Sequence, residues 1–137
     1  MNVLEPSYEI NESRPAVPRS IASLRRAVVA FAAEAGADDL QQENIGLAMS
    51  EAVSNCVIHA YPGDGVRGDI SVKAWTDGGR IVVMVSDEGR GMAPRSDSPG
   101  LGLGLPMIAR VSERLEIEDR SPCPGARLRM TFRLRGG

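Results

Sequence analysis

At 137 residues, 42% of them hydrophobic and 25% charged, the chain suits one soluble globular domain spanning 1–137, with little room for a second and too much apolar content for disorder. A net charge of −2 and a pI near 5.4 supply no general field for nucleic acid or an anionic membrane. No apolar run approaches a membrane span and the first residues lack the layout of a signal peptide, so a cytoplasmic protein making no direct contact with nucleic acid or membrane is expected.

Near the start, Tyr8 to Ser13 reads as a short edge strand before Pro15 and Pro18. From Ser20 the apolar positions Ile21, Leu24, Val28, Phe31 and Ala35 step by three and four, which predicts an amphipathic helix closed by Gly36, with Arg19, Arg25 and Arg26 in or near solvent. Asp38 followed by Gln41 marks a second helix start, and that helix runs to about His59 before Tyr61-Pro62-Gly63 ends it. Ile70, Val72 and Ala74 alternate with polar residues, and Asp77-Gly78-Gly79 turns the chain into a partner strand, Ile81–Val85. A glycine-rich stretch and a short helix, about Leu105 to Glu113, lead to a strand carrying Leu115 and Ile117. The last strand sets Ala126, Leu128, Met130, Phe132 and Leu134 on one face and Arg127, Arg129, Thr131 and Arg133 on the other.

These patterns imply an α/β (α+β) two-layer sandwich, a mixed, mostly antiparallel sheet with helices on one face. The Arg row reads as a solvated face partly neutralised by Glu116 and Glu118. Cys56 and Cys123 sit in no metal-type spacing and suit two reduced thiols or one disulfide.

Along Ile45 to Ala60 nearly every azimuth of the second helix is apolar or small, with Leu47 and Ile58 among the apolar positions, so the helix reads as buried. Glu51 and Asn55 lie four apart on one stripe of it. A carboxylate there needs a cation, a hydrogen-bonded neighbour or an opening to water. Asn55 can offer a hard oxygen to Mg²⁺, and Glu51 can polarise a nearby water or hydroxyl. The pair also suits a plain solvated helix edge.

Val82–Ser86 delivers Asp87 to a turn containing Gly89 and Gly91. An Asp at a strand end can accept from an exocyclic amine such as adenine's, and glycines let backbone approach a flat ring; an ordinary strand-ending turn has the same residues. Gly102 and Gly104 then precede the short helix, where free N–H groups can cradle phosphate or the leucines between them simply pack. Fifteen of the sixteen basic residues are Arg, and the only Lys, Lys73, lies in another strand. That excludes a P-loop and a eukaryotic-type protein kinase, and the glycine run does not follow the opening strand of a dinucleotide fold.

In this order, the E-x-x-x-N helix, the strand ending in D-x-G-x-G and the G-x-G before a helix resemble the N, G1 and G2 boxes of the Bergerat (GHKL) ATPase superfamily, which includes DNA gyrase, MutL and the histidine kinases. The segment Ser50-Glu51-Ala52-Val53-Ser54-Asn55-Cys56-Val57-Ile58-His59-Ala60-Tyr61 is similar to S-E-A-V-x-N-A-x-x-H-G/A-Y of the anti-sigma factor serine kinases, the RsbW and SpoIIAB type. The resemblance covers nearly the whole chain. It implies ATP and Mg²⁺ as ligands, with Asn55 on the metal, Glu51 as general base and Asp87 on the adenine amine. Gly89 and Gly91 would border the base, Gly102 and Gly104 the phosphates. The family phosphorylates a serine on an anti-anti-sigma factor, a STAS-domain protein, and holds a sigma factor inactive. Arg26 matches a partner-contacting Arg, and a homodimer is implied.

Two departures stand out. Only about eight residues, Met92 to Pro99, separate the glycine segments, where the family has a longer lid, and Ala126 stands where the family often has a Thr supporting the Asp. The short lid favours a second expectation, an ATP-dependent binding switch without phosphoryl transfer, while Glu51 favours the kinase.

Overall fold

A computed structural model of the chain describes residues 9–60, 68–87, 101–119 and 126–134. In chain order these form β1 (Ile10–Pro15), α1 (Arg19–Glu34), α2 (Asp39–Asn55), a π-helical turn (Cys56–Ala60), β2 (Asp69–Asp77), β3 (Arg80–Asp87), α3 (Leu101–Val111), β4 (Arg114–Asp119) and β5 (Ala126–Arg133).

Local chemistry accounts for most boundaries. Leu24 and Val28 of α1 are fully buried while Ile21 and Phe31 pack partly against the same core. The chain then leaves through Gly36 at φ 109, a conformation side chains resist. Asp38 caps α2 reciprocally: its side chain accepts from the Gln41 amide at 2.8 Å, and the Gln41 side chain accepts from the Asp38 amide at 2.8 Å. Gly78 and Gly79, at φ 56 and 81, form the two-residue turn between the paired Asp77 and Arg80. Positive φ at both positions matches the twist of the strands they join.

Among the described residues the sheet order is β1-β2-β3-β5-β4, and every pairing is antiparallel. The expected mixed sheet is corrected on this point. β3 and β4 run in the same direction, as the α3 crossover requires, but β5 lies between them and no parallel pair arises among the described residues. Alternation along the strands sends Ile70, Val72, Val83, Val85, Leu128 and Met130 into a core with Leu24 and Val28 of α1, Ile45, Met49 and Ala52 of α2, and Leu105 and Ile108 of α3. The helices therefore cover one face only, as expected. Among the described residues no helix is long and apolar enough to cross a membrane.

Two expectations about helices change. Leu47 and Ile58, counted on the apolar surface of α2, are 50% and 59% exposed. A helix apolar at nearly every azimuth still has to turn one side outward when it packs on one face of a two-layer fold. The short helix begins at Leu101, earlier than about Leu105, so Gly102 and Gly104 lie inside its first turn and Pro106 in the next. The proline ring leaves the Gly102 carbonyl without its usual helical donor.

The uncovered face is paired as the alternation predicts. Arg127 meets Glu118 at 3.6 Å, Arg114 meets Glu116 at 3.3 Å, and Glu113 bridges Arg80 at 2.6 Å and Arg133 at 3.3 Å. Beneath the Arg row, Trp75, Val82 and Met84 form a second apolar cluster, and the Arg129 guanidinium lies 5.9 Å from the Trp75 ring centroid.

Candidate functional site

The polar stripe on α2 is real but unequal. Glu51 is half-buried, whereas Asn55, one turn later, is only 6% exposed, and its Nδ2 finds no acceptor among the described residues. A buried amide donor without a partner is costly, and such sites commonly await a water, an ion or a ligand. Immediately after Asn55 the helix widens into the π-helical turn, a local irregularity that recurs at functional sites. His59 falls within that turn.

Asp87 closes β3. It lies opposite Ile70 in the register and shares the helix-facing side with Val83 and Val85, at 1% exposure. A carboxylate so enclosed requires donors. One comes from Cys56, whose fully buried thiol donates to Asp87 Oδ2 over 3.9 Å. Burial pushes the Cys56 thiol well above its ordinary value, and the Asp87 charge and the hydrogen bond push it the same way. The sulfur thus remains a protonated donor facing an acceptor.

This contact ties the end of α2 to the end of β3, residues 31 apart in sequence. It brings the backbone just after Asn55 to the strand end carrying Asp87. Cys56 is a thiol outside any disulfide, and Cys123 lies outside the described residues. Sequence reasoning passed over Cys56 as a site residue. Its one available signal was its place beside Asn55, just past the end of α2, in an apolar run.

The remaining candidates divide as follows. Gly102 and Gly104 stand in the first turn of α3, where the first four N–H groups have no intrahelical acceptor. Gly89 and Gly91, with the whole Met92–Pro99 segment, lie outside the described residues. Arg26 is exposed on α1, and its neighbour Arg25 donates from Nη1 to Ser50 Oγ at 3.2 Å, linking α1 to the residue before Glu51. Ala126 opens β5, one position beyond the pair Ser86 and Arg127, and brings no hydroxyl to the strand beside Asp87. No group of three or more His, Cys, Asp or Glu able to hold a metal occurs among the described residues.

Comparison with known proteins accords with this geometry. Residues 14–132 match the model of the histidine kinase-like ATPase domain. An anti-sigma F factor from Thermoanaerobacter sp. (strain X514) is 35% identical across 78% of this chain and 80% of its own length. The serine-protein kinase RsbW of Bacillus subtilis (strain 168) is 27% identical across 89% of this chain and 83% of its own. Among solved structures, that of the RsbU and RsbW domains of Rv1364c from Mycobacterium tuberculosis superposes with a TM-score of 0.71 at 27% identity, covering 91% of this chain and 31% of that longer one. With an antiparallel five-stranded sheet under three helices and relatives of this kind over most of its length, the chain belongs to the histidine kinase-like ATPase family, among its RsbW- and SpoIIAB-like anti-sigma factor members.

Proposed function

We propose that the chain, acting as a single domain over 1–137, binds Mg-ATP and transfers the γ-phosphoryl group to a serine of an anti-anti-sigma factor, a STAS-domain protein. In the alternative complex it sequesters a sigma factor, and it works in the cytoplasm, as a homodimer. The observation that carries the reading is the Cys56–Asp87 contact, because it joins the E-x-x-x-N helix to the D-x-G-x-G strand at one end of the fold. The names of the relatives, an anti-sigma F factor and a serine-protein kinase, support the choice of reaction and partners.

In this reading Asp87 accepts from the adenine amine and Gly89 and Gly91 border the base. Gly102 and Gly104 offer the phosphates amides unobstructed by side chains. Asn55 is the residue that would hold magnesium, and the described residues fit that ion in two ways. Magnesium needs few protein ligands when phosphate oxygens supply the rest, so the single Oδ1 of Asn55 would suffice, and Nδ2, which finds no acceptor among the described residues, is left to donate to a phosphate oxygen. When bound there, magnesium would supply neutralisation of the phosphate charge. As the serine oxygen bonds to the γ-phosphorus, the bond to the β-phosphate oxygen breaks, ADP leaves, and the serine proton passes to Glu51. Arg26, exposed on α1, contacts the partner.

The test incubates the full chain with radiolabelled Mg-ATP and the candidate anti-anti-sigma protein. The wild type labels the partner. Glu51→Gln keeps nucleotide binding but loses roughly 10²–10⁴-fold in transfer, the usual contribution of a general base. Asn55→Ala loses Mg-ATP binding. A wild type that binds ATP and never labels the partner overturns the kinase reading and leaves the binding-only switch, which the short Met92–Pro99 segment favours.

A further inference from the structure

The carboxylate assigned to adenine recognition has a neighbour with no assigned role. Reading an exocyclic amine takes more than an acceptor: the carboxylate must hold one orientation, since its terminal torsion is broad and a rotated oxygen misses the ligand. Burial encloses Asp87 opposite Ile70 in the register, but enclosure by itself does not specify which way the oxygens point. A directed donor on one oxygen does specify it. Cys56 is such a donor, fully buried, with its sulfur 3.9 Å from Oδ2. Asn55, the last residue of α2 and the one before Cys56, has a buried Nδ2 with no acceptor among the described residues and marks the same helix end as one shaped around a ligand.

We propose that Cys56 is a positioning residue for base selection: its thiol fixes the Asp87 carboxylate so that the protein prefers a purine with a 6-amino group over one with a 6-oxo group. The inference rests on the proposed adenine-site reading of Asp87. A 6-oxo base sets an acceptor against an acceptor, and the resulting repulsion discriminates only while the carboxylate cannot turn away. Loosening Asp87 should therefore weaken ATP and spare ITP, so the ratio of the two affinities is the quantity to follow. A purely packing role for Cys56 would alter stability, or both affinities together, and leave the ratio alone.

Competition binding of ATP and ITP in magnesium, with melting curves to establish folding, reads this out on the full chain. Cys56→Ala and the bulkier apolar Cys56→Val should each lower the ATP-to-ITP preference about three- to fivefold, the effect of losing one modest hydrogen bond. Cys56→Ser, which restores a donor, should return it towards the wild-type value. A folded Cys56→Val or Cys56→Ala protein with unchanged preference, tested beside an Asp87→Asn protein that has lost it, overturns the role of Cys56 and keeps the adenine site. An Asp87→Asn protein with unchanged preference overturns both.

Discussion

Replacing Asn55 with leucine removes a buried amide whose nitrogen meets no acceptor among the described residues and keeps a side chain of similar size in its place. An unsatisfied buried donor costs about 1–3 kcal/mol. The branched replacement returns part of that gain through imperfect packing, so a net stabilisation of about 1 kcal/mol is expected for the ligand-free protein. At about 2.1 cal/mol/K per residue, a chain of 137 residues unfolds with an entropy of about 0.3 kcal/mol/K, so Tm should rise by about 3 °C. Under saturating Mg-ATP the order reverses. Nucleotide at about 100 times its Kd adds about 2.7 kcal/mol to the wild type and should add nothing to Asn55→Leu. Scanning calorimetry with and without Mg-ATP measures both effects. A ligand-free Asn55→Leu protein that melts several degrees below wild type would show that the amide is already satisfied in the unliganded fold, and the reasoning would fail.

Two further outcomes follow from local geometry. Asp38→Ala removes the acceptor of the Gln41 amide, one of the two 2.8 Å bonds of the α2 cap, and should cost about 1 kcal/mol, seen as a shift in the urea midpoint with nucleotide affinity unchanged. The hydrogen bond from Arg80, helped by the charges of Arg80 and Arg133, holds the Glu113 carboxyl below its ordinary value of 4.5. Its contribution is therefore complete above that value and is lost as pH falls below 4.5 through the lower folded pKa. Glu113→Gln should flatten this part of a plot of Tm against pH.

What the sequence disclosed, and what it withheld, follows the range of each interaction. The Asp38 cap and the Gly78-Gly79 turn act within four residues, so residue type and spacing were enough to read them. The strand faces were equally plain, because alternation decides which side of a sheet each residue takes. The start of α3 was not, since two glycines and a proline oppose a helix locally and burial of Leu105 and Ile108 favours it. The outward side of α2 was hidden because its composition is apolar nearly all round, and only its neighbours determine that Leu47 and Ile58 face out. The candidate site was legible as an ordered set of motifs. The thiol beneath Asp87 was not, for no spacing rule connects two residues that only the packing of a helix on a strand brings together.

The tryptophan on the far side of the sheet has a practical consequence. Trp75 is the only tryptophan in the chain, 7% exposed among Val82, Met84 and the Arg129 guanidinium, on the face opposite the helices and Asp87. Its intrinsic emission is thus a single-fluorophore gauge of sheet integrity, separated by the thickness of the sheet from any nucleotide bound beside α2. Denaturation can be followed optically through this residue while occupancy is followed by a labelled nucleotide, two independent channels within one unmodified protein.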